Sequence, residues 1–219
     1  MTDQLILKFP KKNIYLREDF YVSSSNQEAY DFINSWPKWF KKIVNIYGPL
    51  GSGKTHLATI LKKKTSTLYL KTEQLNDNTY FDFKTKEALI IENLNEKIYE
   101  NVLFSLWNLA IQDNKYLLIT SVKPINLYKF KLPDLQSRIS SCFKVGINLP
   151  NDDLIGVILA KNFSDKQVAI EKKHIDYIIK RIDRSYEKIS QFISLLDKYS
   201  LKKGSPFSFK LIKEVLKMI

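Results

Sequence analysis

Gly48-Pro49-Leu50-Gly51-Ser52-Gly53-Lys54-Thr55 holds three of the chain's six glycines and reads as a complete G-x-x-x-x-G-K-[ST] phosphate loop. Glycines let the backbone turn tightly, so that successive N–H groups point inward at phosphate oxygens. The helix expected to leave the loop near Lys54 adds the positive end of its dipole. Lys54 is expected to reach the β- and γ-phosphates, and Thr55 to hold Mg²⁺ through its hydroxyl. The flanks agree: Lys42-Ile43-Val44-Asn45-Ile46-Tyr47 is the apolar run of a buried strand entering the loop, and residues 55–64 have helical periodicity.

Further from the loop, apolar runs predict strands over 67–71, 88–92, 116–121 and 142–148. Helical spacing predicts helices over 25–36, 96–112 and 133–140, the first capped by Ser25 or Asn26 and ended by Pro37. Strands alternating with helices predict an α/β fold, a parallel sheet covered on both faces. After Pro150 the pattern is helical only, over 152–162, 171–182, 186–201 and 206–218. The expected organisation is an extended leader over 1–19, a nucleotide-binding core over 20–149 and a small all-helical lid domain over 150–219.

Composition fits a globular chain with a full core: 219 residues, 44% hydrophobic and 26% charged. No apolar run reaches the ~18 residues that a membrane span needs. Met1–Pro10 lacks the basic start and apolar stretch of a signal peptide, and Cys142 is single, so no internal disulfide forms. These features lead us to expect a cytoplasmic protein. The net charge of +12 comes from 31 lysines and only four arginines: Arg17, Arg138, Arg181 and Arg184. Lysines spread along the chain, with clusters such as Lys62-Lys63-Lys64, read mainly as solvated surface and leave room for weak, salt-sensitive DNA contact.

A phosphate loop needs an acid at the end of a neighbouring strand to order Mg²⁺. Leu89-Ile90-Ile91-Glu92-Asn93 supplies it, with Glu92 as the Walker B carboxylate. The next position, Asn93, can orient water but cannot accept a proton, so intrinsic hydrolysis is expected to be slow. The strand Leu117-Leu118-Ile119-Thr120-Ser121 ends in hydroxyls placed to sense a γ-phosphate. Arg138, in Leu132-Pro133-Asp134-Leu135-Gln136-Ser137-Arg138, is a candidate guanidinium to be presented to a neighbouring subunit's phosphate. Arg184 lies between two lid helices, where it could reach over the phosphates of its own subunit.

The order of strand, phosphate loop, Walker B strand, polar sensor strand, Leu-x-Ser-Arg and helical lid with arginine resembles the AAA+ ATPases, specifically the DnaA family. Glu18-Asp19-Phe20-Tyr21-Val22, followed by Asn26 and Ala29, looks like that family's segment beside the adenine, which implies nucleotide contacts for Val22 and Asn26. The loop's continuation into His56 and Leu57 matches as well, so the implied cofactor set, for ADP or ATP with Mg²⁺, is Gly48, Gly51, Ser52, Gly53, Lys54, Thr55 and His56. The chain stops directly after the lid, so a DNA-binding helix-turn-helix domain and an N-terminal interaction domain are expected to be absent. What remains is similar to the Hda type of DnaA-homologous regulator, particularly its alphaproteobacterial form. There Arg138 corresponds to the arginine finger acting in trans and Arg184 to the sensor II arginine.

Gln4-Leu5-Ile6-Leu7-Lys8-Phe9 is similar to the Gln-Leu-x-Leu-x-Phe peptides that dock on the bacterial sliding clamp, with Gln4 as polar contact and Leu5, Leu7 and Phe9 as anchors. The resemblance implies two partners, the initiator DnaA and the clamp, and allows a homo-oligomer. The implied activity is stimulation of the initiator's ATP hydrolysis, which blocks re-initiation. Glu92 stands where the initiator has Asp, which puts the Mg²⁺ geometry in question. Two other readings are an autonomous AAA+ ATPase, which predicts turnover without partners, and a DnaA-like module that binds single-stranded DNA, which predicts steep salt dependence and indifference to the leader.

Overall fold

The computed structural model describes residues 20–166, 168, 170–203 and 208–219. The leader, with Gln4, Leu5, Leu7 and Phe9, lies outside the described residues. The elements run α1 (Gln27–Asn34), β1 (Ile43–Tyr47), α2 (Lys54–Lys62), β2 (Thr67–Lys71), α3 (Thr79–Lys84), β3 (Ala88–Leu94), α4 (Glu100–Gln112), β4 (Tyr116–Ser121), α5 (Pro133–Ser140), β5 (Phe143–Gly146), α6 (Asp152–Asp165), α7 (Lys172–Ile179), α8 (Tyr186–Lys203) and α9 (Phe209–Leu216).

The five strands form one parallel sheet in the order β2-β3-β4-β1-β5. Side chains alternate across a strand, and the core divides accordingly. Leu89 and Ile91 of β3 and Leu117 and Ile119 of β4 pack with α4 and α5 on one face. Ile90 and Leu118 point to the other face and pack with α1 and α2, through Ile33, Leu57 and Leu61. A parallel sheet covered on both faces is therefore what these apolar strands form, as the α/β reading expected. The third core belongs to the helical region alone, built from Ile155 and Phe163 of α6, Ile178 of α7, Phe192 of α8 and Ile212 of α9.

One polar side chain lies in the middle of the sheet. Asn45 of β1 is fully buried, donates to the carbonyl of Ile119 (3.0 Å) and to Ser121 Oγ (2.8 Å), and accepts from the N–H of Ile125 (2.9 Å). These bonds tie the carboxyl end of β4 and the short turn Ile125–Leu127 to β1.

Several boundaries differ from the sequence reading. The first helix begins at Gln27, and neither Ser25 nor Asn26 caps it with a side chain. Asn26 instead accepts from the N–H of Ser23 and donates to the carbonyl of Tyr21, so it holds the preceding segment against the body. The helix expected from residue 96 starts at Glu100. Residues 95–98 form a turn in which Asn95 Oδ1 accepts from the N–H of Lys97, and Glu100 receives the N–H groups of Lys131 and Leu132. The six-residue α3 has one buried apolar anchor, Phe83, too little periodicity to register as a helix.

Candidate phosphate-binding site

The loop begins where β1 ends, with β4 and β5 as its neighbours in the sheet. The carboxyl edge of an open parallel sheet, where connections diverge to either side, is the usual place for a ligand. Gly51 and Gly53 sit in the left-handed region, at φ +79° and +92°, which glycine alone adopts at little cost. Gly53 is the residue before α2, and no side chain caps that helix. The first-turn N–H groups of α2 thus remain directed toward the loop's cavity.

Lys54 opens α2 and is 5% exposed. Its ammonium donates to the carbonyls of Gly48 and Pro49, each at 2.7 Å. Burial pulls its pKa down to about 8, and the charge of Glu92 opposes that shift in part. A buried cation whose hydrogen bonds all go to neutral oxygens, the Ser52 hydroxyl at 3.4 Å included, and whose burial outweighs the charge of Glu92, is poorly compensated, and an anion in the adjacent cavity would correct this. That cavity, about 280 Å³, is lined by residues 50–56 and Asn93. Its donor set is backbone N–H groups, an ammonium and a hydroxyl, which fits phosphate oxygens.

Across the loop, the Thr55 hydroxyl donates to Glu92 Oε1. Glu92 is 5% exposed at the end of β3, so a hydroxyl oxygen and a carboxylate meet beside the phosphate cradle. Hard oxygen donors of this kind suit Mg²⁺. Asn93 follows with φ +58° at an irregularity in the β3–β4 register, and its N–H donates to Thr120 Oγ1 (3.0 Å). That bond occupies one of the β4 hydroxyls expected to sense a phosphate, and Ser121 is engaged with Asn45 and the carbonyl of Lys123.

Two aromatic residues close the loop. A Cβ on Gly53 would come within 2.9 Å of the Phe20 ring, and one on Gly51 within 3.1 Å of Tyr186 Cβ. Phe20 stacks on Tyr30 at 5.4 Å and meets His56 edge-on at 5.2 Å. Tyr186, the first residue of α8, is buried and donates to the carbonyl of Asn148 (3.2 Å). Burial raises its phenol pKa. The sequence reading passed over Tyr186, because an aromatic in the first turn of a helix has the pattern of any core position.

The remaining expected residues do not meet at the cavity. Val22 is half-buried in the segment before α1, and Asn26 is engaged with that segment. Arg184 makes a two-pronged ion pair with Asp152 at the start of α6 (2.9 and 3.2 Å), and this pairing raises its pKa. Arg138, in the last turn of α5, lies 5.5 Å over the Phe104 ring of α4 and outside the cavity lining.

No known family profile matches the chain. Its sequence is 26% identical over 237 residues to the chromosomal replication initiator protein DnaA of Borrelia turicatae, covering 94% of this chain and 49% of the relative. The chain therefore spans about half the length of the curated relatives it matches. Its fold is similar to domain III of the Thermotoga maritima replication initiation protein DnaA, with a TM-score of 0.76 and 20% identity over 93% of this chain and 95% of that one. It is also similar to AMPPCP-bound DnaA from Aquifex aeolicus, with a TM-score of 0.70 and 18% identity over 86% of this chain and 66% of that one. The architecture is the AAA+ P-loop fold, and the similarity is to its DnaA-like form.

Proposed function

We propose that this chain is a DnaA-like AAA+ regulator of replication initiation that holds ADP or ATP with Mg²⁺ and acts chiefly on a partner's nucleotide. The single observation that carries the nucleotide reading is the uncapped α2 end with Lys54 buried beside it, against the Thr55–Glu92 pair. Gly48, Gly51, Ser52, Gly53, Lys54, Thr55 and His56 would hold the nucleotide phosphates, and Thr55 and Glu92 the metal, whose bound form neutralises phosphate charge. Val22 and Asn26 would border the base. That DnaA of similar fold from Aquifex aeolicus is AMPPCP-bound supports the nucleotide reading.

Two features favour activation of a partner over turnover by the chain itself. Asn93, next to Glu92, has no carboxylate to take a proton from water. Arg138 packs over Phe104 outside the lining of its own phosphate cavity and is half-exposed, which leaves its guanidinium within reach of a neighbouring molecule. We assign Arg138 as an arginine finger supplied in trans to DnaA, the leader residues Gln4, Leu5, Leu7 and Phe9 as a sliding-clamp peptide, and 150–219 as a lid. For Arg184 to act as a sensor of its own phosphates it must exchange Asp152 for the nucleotide.

The test is ATP hydrolysis by purified DnaA with this chain, ADP and the clamp added in turn. Stimulation that requires both the chain and the clamp, and is lost in Leu7→Ala/Phe9→Ala, is the expected result. Nucleotide binding without stimulation would refute the regulatory assignment and leave the phosphate loop standing.

A further inference from the structure

In a parallel sheet every strand starts at the same edge, so all the connections into the strands converge there. That edge lies opposite the phosphate loop. The connection into β1 carries Lys38, Lys41 and Lys42, and the one into β2 carries Lys62, Lys63 and Lys64. Lys84 and Lys86 precede β3, Lys115 precedes β4, and Lys144 is the second residue of β5. Against these ten lysines the same segments hold two carboxylates, Glu87 and Asp113. The connections leaving the opposite edge (48–54, 71–78, 92–100 and 121–132) carry six lysines against five carboxylates. The chain's positive charge is therefore concentrated on one edge of the sheet rather than spread evenly.

Part of this charge is held in place without being neutralised. Lys42 donates to the carbonyl of Asn114 (2.7 Å) and lies 4.8 Å over the Tyr116 ring. Lys115 donates to the carbonyls of Lys84 (2.9 Å) and Lys86 (2.7 Å), and Lys144 to that of Cys142 (2.9 Å). Neutral acceptors fix an ammonium and leave its full charge. Among the described residues, Lys38, Lys41, Lys42, Lys84, Lys86 and Lys115 form no ion pair with a carboxylate. Fixed cations lose less conformational entropy when they bind an anion.

We propose that this amino edge binds the phosphodiester backbone of duplex nucleic acid, independently of sequence. Strands about 4.8 Å apart place five strand starts over about 19 Å. A duplex of that length carries on the order of ten phosphate charges. Lysine ammoniums act as point charges and lack the planar fork that reads base edges, so they position a backbone without selecting a sequence. Attachment to an anionic membrane combines basic residues with the apolar face of an inserted helix. Here the lysines sit on connections set by the sheet.

The test is fluorescence anisotropy of the full chain with a labelled 20-base-pair duplex of random sequence, across a salt series and without nucleotide. Lys38→Gln/Lys41→Gln/Lys62→Gln/Lys84→Gln removes four exposed charges from the edge. Lys172→Gln/Lys180→Gln/Lys198→Gln/Lys217→Gln removes the same charge from exposed lid positions. The edge variant should weaken binding about tenfold or more and flatten the salt slope by about three, while the lid variant stays within about twofold of the parent. The pair Lys38→Gln/Lys41→Gln gives the same reading at smaller size should the fourfold variant fold poorly. Equal losses from edge and lid variants would overturn the proposal, as would edge-dependent binding to phosphatidylserine vesicles without binding to the duplex. Lys54→Ala should keep duplex binding; its loss would place the contact at the phosphate loop and also overturn the proposal.

Discussion

Tyr186 of the helical region lies against Gly51 of the phosphate loop, so close that a Cβ on the glycine would be 3.1 Å from the tyrosine's own. The tyrosine is fixed from behind by its bond to the Asn148 carbonyl. Gly51 also has φ +79°. Gly51→Ala therefore meets strained backbone and a crowded neighbour together. It should cost about 1–3 kcal/mol of stability in a denaturant titration and weaken ADP binding at least tenfold by calorimetry. Gly156→Ala, in α6, where an added Cβ would stand at an ordinary 3.5 Å from Ile179 Cδ1, serves as the control.

The buried ammonium of Lys54 makes stability depend on pH. Its folded pKa of about 8 lies below the ordinary lysine value of 10.5, chiefly because of burial. Between those values the unfolded chain binds more protons than the folded one, so stability from this group rises with pH across the window. The cost of the buried charge is fully present below pH 8. Lys54→Met should be more stable than the parent at pH 7.5, by denaturant midpoint, and the difference should shrink toward pH 10. The variant should bind no ADP. In the parent, ADP affinity should fall as the pH rises past 8, because the anion requires the protonated amine.

Glu92→Gln keeps an acceptor for the Thr55 hydroxyl and removes the negative charge. The fold should survive, with a change of about 1 kcal/mol or less. The magnesium dependence of ADP affinity should largely disappear, while affinity in EDTA should hold or improve because a carboxylate no longer faces the phosphates. A variant whose affinity still rises with magnesium would show that the metal is held elsewhere.

Arg138→Ala removes one cation–π contact with Phe104, worth about 0.5–1 kcal/mol. It should leave ADP binding unchanged. Stimulation of DnaA by this chain should fall by about 10³-fold, the lower end of what an arginine finger supplies. Stimulation that persists in this variant would remove Arg138 from the reaction.

β3 and β4 were legible because each opens on an unbroken apolar run between polar segments, β1 because only Asn45 interrupts its run, and the phosphate loop was legible because glycine placement at Gly51 and Gly53 has a backbone cause. What escaped was tertiary. Nothing local distinguishes Tyr186 from an ordinary core aromatic, since its meaning comes from Gly51 being across from it. Phe20 was read as part of a segment near the base, and its contact with Gly53 depends on how that segment folds back. Arg184 was read toward the phosphates, but Asp152, 32 residues earlier, supplies the carboxylate it meets. The lysines read as spread along the chain with local clusters, and ten of them meet at one edge only through the parallel order of the strands.

Asn45 behaves as a peptide group turned crosswise in the sheet, offering one N–H₂ and one carbonyl at the reach its neighbours require. Aspartate would lack the donors, serine the length and leucine both functions, while glutamine would carry the amide one carbon too far. None of these four replacements supplies both donors and the acceptor at the reach that Asn45 has. A mutational scan of this strand should find its apolar positions exchangeable with one another and this one intolerant of every substitution.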